Sequence, residues 1–352
     1  MTFGEGHTSE ALGANGSRIA DVKVEVAQTM VDTDAIKGAM ELAVRAPSLH
    51  NSQPWRWVAD GGVLELFADP TRIGRSTDST GREVLISCGA VLDHLRVAMA
   101  AAGWEASVER LPNPNNRDHL ATLEFRPMEF VTDAHRARAQ AIRHRRTDRL
   151  PFAAPPQWDA FEPVLRETLA ASVADLDVIP DDSRPLLADA SRLTADLRRY
   201  DSAYHAELQW WTTHSDLSQG IPETALASEE EARRVDVARD FPTGGHAERR
   251  AQVGRDHSKI LVLSTYDDSR ENALGCGEAL STVLLECTMA SLATCTLTHM
   301  IERHASREIV RRLTERIAEP QLLIRVGTIP STDSPPLPTP RRPVSEILQI
   351  RR

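Results

Sequence analysis

The stretch from Arg45 to Trp57 carries more hydrogen-bonding side chains than a connector needs. Ser48, His50, Asn51, Ser52 and Gln53 supply hydroxyl, imidazole and amide groups, and Pro47 and Pro54 bracket them. Held on one short, stiff loop, such groups can fix the polar edge of a flat ligand. A capped surface turn built from the same residues is the plain alternative, and composition alone does not separate the two.

The flanking pattern says what must position this loop. Ala35, Ile36, Ala39, Met40 and Ala43 recur at helical spacing, with Asp32, Thr33 and Asp34 available as N-caps. Pro47 disfavours the α conformation at Ala46, so the helix is expected to stop near Arg45. Downstream, Trp55 and Trp57 alternate with polar residues as at a strand start, and Trp55 is expected to anchor the loop in the core.

The run Pro47-Ser48-x-x-Asn51-x-Gln53-Pro54-Trp55 resembles, without a gap, the flavin loop of the FMN-dependent nitroreductase family. Arg45, Ala46 and His50 are similar to the mycobacterial Acg-type branch of that family. In the family one subunit offers this loop to the flavin held by the other. The resemblance therefore implies FMN as cofactor, contacted by Arg45, Pro47, Ser48, His50, Asn51 and Gln53. It implies NAD(P)H as reductant and a small aromatic acceptor of nitro or quinone type; an FMN-binding or storage protein with a covered flavin is the alternative. No catalytic residue is assigned.

FMN ends in a phosphate of nearly two negative charges, which needs fixed cations, preferably arginines. Arg145 to Arg149 resembles the family's Arg-x-Ser-x-Arg element, with Thr147 keeping the hydroxyl. The resemblance thus puts Arg145, Thr147 and Arg149 on the cofactor, Arg145 also near the N1–O2 edge of the ring. Asp148 departs from a plain clamp and is expected to orient Arg146 or Arg149. Arg341 and Arg342, after Pro340, fall where the family places a basic pair on the phosphate. Thr298 and His299, in the segment Thr296 to Met300, fall where the family supplies the N5 contact. A solvated helix end for 143–149 and a helix-to-helix turn for 296–300 remain the alternatives.

The chain has 352 residues, 41% hydrophobic and 26% charged, enough for two domains or two pseudo-repeats. A net charge of −10 argues against a general nucleic-acid or anionic-membrane binder. Cys88, Cys276, Cys287 and Cys295 form no CxxC pair and read as buried reduced thiols, with no metal site expected. Residues 1–31 lack the apolar core of a signal peptide and are expected to be a flexible tail. The most apolar stretches are broken by Asp93, Arg96, Glu278 and Glu286, which disfavours membrane spans and points to the cytoplasm. There is no Walker A, GxSxG or HExxH pattern, and Gly275-Cys276-Gly277 lacks the third glycine of a dinucleotide fingerprint.

Element order repeats. A strand over Val63–Phe67, a polar loop over 72–81, an apolar helix over 84–102 stopped at Gly103, and strands over Trp104–Arg110 and His119–Phe125 make the first half. A helix over 156–171, strands over Leu176–Ile179 and Lys259–Thr265, a helix over 275–293 and a strand over Gln321–Val326 make the second. Setting Cys88-Gly89 on Cys276-Gly277 also aligns Leu92 with Leu280 and Ala102 with Ala290. The expected organisation is an α+β fold of two nitroreductase-like halves, 32–130 and 131–352, with mixed sheets flanked by helices. Such halves would form an intramolecular pseudo-dimer, a monomer mimicking the family's homodimer. The loop occurs only in the first half and the arginine clamp only in the second, so one composite site is complete. The second half also holds an insertion at about 200–255, expected to pack Trp210 and Trp211 and to act as a lid or as satellite packing.

Overall fold

The computed structural model describes residues 31–72, 74–170, 172–213, 218–314, 316–330 and 338–351; the tail expected over 1–31 lies outside them except for Val31. Helix α1 (Thr33–Ala43) begins where Asp32 Oδ1 accepts the Ala35 N–H at 2.6 Å. The hairpin β1 (Trp55–Asp60) and β2 (Val63–Ala68) follows, then the long helix α2 (Arg82–Ala101). Gly103, at φ +89°, stops α2 as expected. Strands β3 (Trp104–Arg110) and β4 (His119–Pro127) complete the first half, and α3 (Asp133–His144) crosses to the second. There α4 (Trp158–Leu169), β5 (Ala174–Ile179), α5 (Arg184–Arg198), α6 (Ser202–Thr213) and α7 (Glu229–Arg233) precede β6 (Lys259–Thr265). Helix α8 (Arg270–Met289), β7 (Ala293–Leu297), α9 (His304–Leu313), β8 (Glu319–Gly327), α10 (Val344–Ile347) and β9 (Leu348–Ile350) end the chain.

One sheet runs β3-β4-β2-β1-β9 and the other β5-β6-β8-β7. Read from the hairpin outward, β1-β2-β4-β3 and β5-β6-β8-β7 have the same order and the same antiparallel pairing. Even the register break recurs, between Leu66 and Phe67 on β2 and between Leu263 and Ser264 on β6. The parallel pairs are β1 with β9, which carries the C-terminus back to the first sheet, and the bridge Thr147 to Thr294. The fold is α+β, with sheets flanked by helices; the first sheet is mixed, whereas the strand pairs of the second are all antiparallel.

The two long helices cross where both lack a side chain. A Cβ on Gly89 would stand 1.9 Å from the Leu274 carbonyl oxygen, and one on Gly277 2.0 Å from that of Ile86. The contact is symmetric under the alignment of Cys88-Gly89 with Cys276-Gly277. By length and composition α2 could cross a membrane, but most of it is buried here, against α8 above all. The four cysteines are free and buried, as expected.

The helix expected over 275–293 is displaced. Ser269 Oγ caps the Asn272 N–H at 3.3 Å, so α8 starts earlier, and Ser291, at φ +59°, follows its end. Thr294 and Thr296 then enter β7, where β-branched side chains fit the pleat. Apolar periodicity over Ala290 to Ala293 could not distinguish one more helical turn from a strand entry.

Candidate functional site

Loop 45–54 is held in a strained shape. His50, Asn51 and Gln53 all have left-handed φ, of 51°, 57° and 50°. Such conformations cost about 1–3 kcal/mol each and persist only when their surroundings fix them. Here Ser48 Oγ accepts the Gln53 N–H at 3.0 Å, and Ser87 Oγ of α2 accepts that of Leu49 at 3.2 Å. Asn51 Nδ2 donates to the carbonyls of Gly220 (3.0 Å) and Pro340 (3.1 Å). Gln53 Nε2 donates to the Ser218 carbonyl at 2.8 Å, and its Oε1 accepts the Arg342 N–H at 2.9 Å. The loop is thus clamped between the insertion and the C-terminal segment. Gln53 is fully buried in that clamp.

Two adjoining chambers open beside it. The larger spans about 1090 Å³, including space open to solvent, and is walled by Ile86, Leu280, Leu297 and Leu322 from both halves, with Phe241 and Pro242 from the insertion. The smaller spans about 500 Å³, also partly open, and is ringed by Arg45, Arg145, Arg146, Arg149 and Arg341. Pro47, Ser48, Thr147 and Arg149 line both, so the chambers meet at the loop and at the arginine segment.

The smaller chamber is built to be cationic. Just past the end of α1, the carbonyls of Val44 and Arg45 point at guanidinium groups and hold them. Arg341 Nε donates to the Val44 carbonyl at 3.0 Å, and Arg341 Nη2 and Arg145 Nη2 each reach the Arg45 carbonyl at 3.2 Å. Arg146 Nη1 donates to the Arg145 carbonyl at 2.8 Å. Among the described residues, none of the five arginines has a carboxylate partner. Arg145 Nε and Nη1, Arg45 Nε and Arg146 Nε are buried with no hydrogen-bond partner at all. Burial, then the neighbouring charges of Arg146 and Arg45, holds Arg145 down at about 10, and Arg341 is lowered well below its ordinary value for the same reasons. A multiply charged anion supplies what this ring lacks.

In the larger chamber His50 is buried, with both ring nitrogens unpartnered and Phe241 edge-on at 5.8 Å. Burial, then the charges of Arg239 and Arg149, pushes its pKa well below the ordinary range, so it is neutral and offers one donor and one acceptor. Asn51 Oδ1 is likewise buried and unpartnered. The Arg149 guanidinium lies 5.1 Å over the Phe241 ring. Thr298 lines the chamber and its Oγ1 accepts from Arg239 Nη2 at 3.0 Å.

Some expected residues stand elsewhere. His299 lies beneath α5, with Nε2 2.9 Å from Ser191 Oγ, and does not line the larger chamber. Arg342 turns away from the cationic ring toward Asp69 (3.9 Å) and Glu346 (3.6 Å). Asp148 orients neither Arg146 nor Arg149; it pairs with Arg250 of the insertion at 2.5 Å. A long-range ion pair of this kind leaves no local signal in a sequence.

The structure adds three residues to the site. Arg239 bridges the insertion to Glu302 and, within the insertion, donates to Tyr204 Oη at 3.1 Å, while Phe241 closes the outer wall. Glu83, at the start of α2, is buried in the inner wall. An acid in a helix's first turn is ordinarily a dipole partner, so its spacing gave no sign of a chamber.

No family model matches the chain. A Mycobacterium tuberculosis protein described as "Putative NAD(P)H nitroreductase acg" is 58% identical over 323 residues, covering 92% of this chain and 98% of its own length. A second protein of that organism, also described as a putative NAD(P)H nitroreductase, is 35% identical over 324 residues, covering 90% and 92%. A solved FMN-dependent nitroreductase of Mycobacterium smegmatis, in complex with NADPH, is 17% identical with a TM-score of 0.38, covering 62% of this chain and all of that one.

Proposed function

The chain belongs to the nitroreductase family, in the branch of the mycobacterial Acg protein, and on that premise we propose that it binds one FMN across the two chambers and uses NAD(P)H to reduce nitro or quinone-like acceptors. The carrying observation is the ring of five arginines without a carboxylate among the described residues, opening directly into an apolar chamber. That is the charge pattern of a flat aromatic ring with a phosphate tail. FMN would supply hydride transfer through its ring.

The chain's own groups then have distinct tasks. Arg45, Arg145, Arg146 and Arg341 hold the phosphate, and Arg149, at the junction, faces the ring's polar edge. Pro47, Ser48, His50 and Asn51 border the ring on the first-half side and Thr298 borders it on the second. The loop and the clamp come from different halves, which supports an internal pseudo-dimer with one flavin.

A second reading is favoured by the insertion. Residues 227, 232, 235 and 238–243 form the outer wall of the chamber, where nicotinamide would have to stack. Trp211, buried, sits 6.3 Å from the His50 ring and ties that wall to the loop. This geometry supports slow exchange of reductant, as in a flavin-holding protein with little turnover. Stopped-flow mixing of the flavoprotein with NADPH tests it. Slow, incomplete bleaching is expected; prompt full bleaching would rule out the covered site, and purified protein without a flavin absorbance band would rule out both readings.

A further inference from the structure

Glu83 belongs to two cavities at once. It is 3% exposed and lines the apolar chamber, yet it also lines a second cleft of about 1130 Å³ at the N-terminal ends of α2 and α8. Asp78, Arg82, Arg270, Glu302 and Arg307 bound that cleft, and no residue other than Glu83 is common to the two linings. Among the described residues one hydrogen bond reaches its carboxyl group, from Arg82 Nη2 to Oε1 at 2.8 Å. The charged and titratable groups that face it are Asp78 before α2, Arg82, Cys276 on α8 and Glu302 after β7.

Reducing an acceptor by hydride transfer also requires a proton. The chamber's other polar groups are poor sources. His50 is neutral, the arginines keep their protons, burial pushes the Cys295 thiol up, and Asp240 sits exposed on the insertion. We infer that Glu83 donates the proton to the acceptor in the apolar chamber and is recharged with solvent protons through the second cleft.

The inference rests on the flavoprotein reading above. For a quinone, the hydride supplied by NAD(P)H through the flavin goes to one carbonyl oxygen. The Glu83 O–H bond breaks, its proton bonds to the other oxygen, and the electron pair stays on the carboxylate. A proton from the cleft restores the acid, so NAD(P)H, a proton and quinone give NAD(P)+ and hydroquinone. Burial raises the Glu83 carboxyl from 4.5 to about 7, opposed by the paired Arg82 and reinforced by Asp78 and Glu302, so a large share of it carries a proton near neutrality.

Two measurements decide it. The first needs no flavin. Between 4.5 and about 7 the folded chain holds a proton that the unfolded chain has lost, so stability falls as pH rises through that window. Glu83→Gln removes this dependence, and the wild type should lose melting temperature relative to it across the window; parallel curves would overturn the assignment. The second uses the holoprotein, photoreduced and then mixed with benzoquinone. Wild-type reoxidation should slow about tenfold per pH unit above neutrality, whereas Glu83→Gln should be about 100-fold slower and flat with pH. Glu83→Asp keeps a carboxyl group, should keep a pH dependence, and carries the comparison if the Gln variant does not fold. Wild-type protein that holds no flavin overturns the cofactor reading and the donor role with it. A flavoprotein whose variants reoxidise as the wild type does overturns the donor role alone.

Discussion

At the scale of the residue, neighbouring arginines do different work. Arg341 lies on α1's terminal carbonyls and faces the cationic chamber, whereas Arg342 reaches Asp69 and Glu346 on the other side of the backbone. Arg341→Ala should therefore weaken FMN binding by about 1.5–3 kcal/mol, the worth of a charge-assisted hydrogen bond. Arg342→Ala should leave flavin affinity within about 0.5 kcal/mol, as expected away from a site. Fluorescence titration of the apoprotein with FMN reads both. Equal losses would mean that the ring of arginines has been assigned wrongly. Asn51 and Gln53 carry a related lesson. Their side chains serve largely as braces between the insertion and the C-terminal segment, and through that bracing they hold His50 in a conformation few residues adopt.

At the scale of the element, the crossing of α2 and α8 sets the distance between the halves, and hence the width of the chambers they share. Neither helix can carry a side chain at the crossing, because the facing atoms are backbone carbonyls, which cannot rotate out of the way. Gly89→Ala must separate the helices or bend them. Overpacking of this kind costs about 1–3 kcal/mol, occasionally more, so urea unfolding should show at least that loss. A variant as stable as the wild type would mean that the helices pack more loosely than described. The insertion's contacts are of another sort. Buried ion pairs, Arg239 with Glu302 and Arg250 with Asp148, tie it to the segments around β7 and Arg145–Arg149. Removing one partner of such a pair leaves an uncompensated buried charge, at a cost of about 3–5 kcal/mol.

At the scale of the whole molecule, the strand order β1-β2-β4-β3 recurs as β5-β6-β8-β7 around α2 and α8. The C-terminal strand β9 then crosses back to β1, so the halves are stitched at both ends of the second. A chain that is its own partner should sediment near its 38.9 kDa mass and hold one FMN. A tight dimer with two flavins per chain would contradict the internal pairing.

Much of this was legible in the amino-acid order. Local rules put a cap among Asp32, Thr33 and Asp34, the stop at Gly103, the stiff loop between Pro47 and Pro54, and the duplication at Cys88-Gly89 and Cys276-Gly277, because each depends on residues within a few positions or on a repeated string. The sequence also put the loop in one half and Arg145 to Arg149 in the other. It could not say that Arg341 would face the chamber while Arg342 turned toward Asp69 and Glu346, since that depends on how the C-terminal segment packs against α1 and β1. It misplaced the end of α8, where apolar residues suit helix and strand alike. Nor could it show Asp148 meeting Arg250, His299 sinking under α5, or Glu83 standing between two cavities, because these depend on which surfaces meet when distant segments pack.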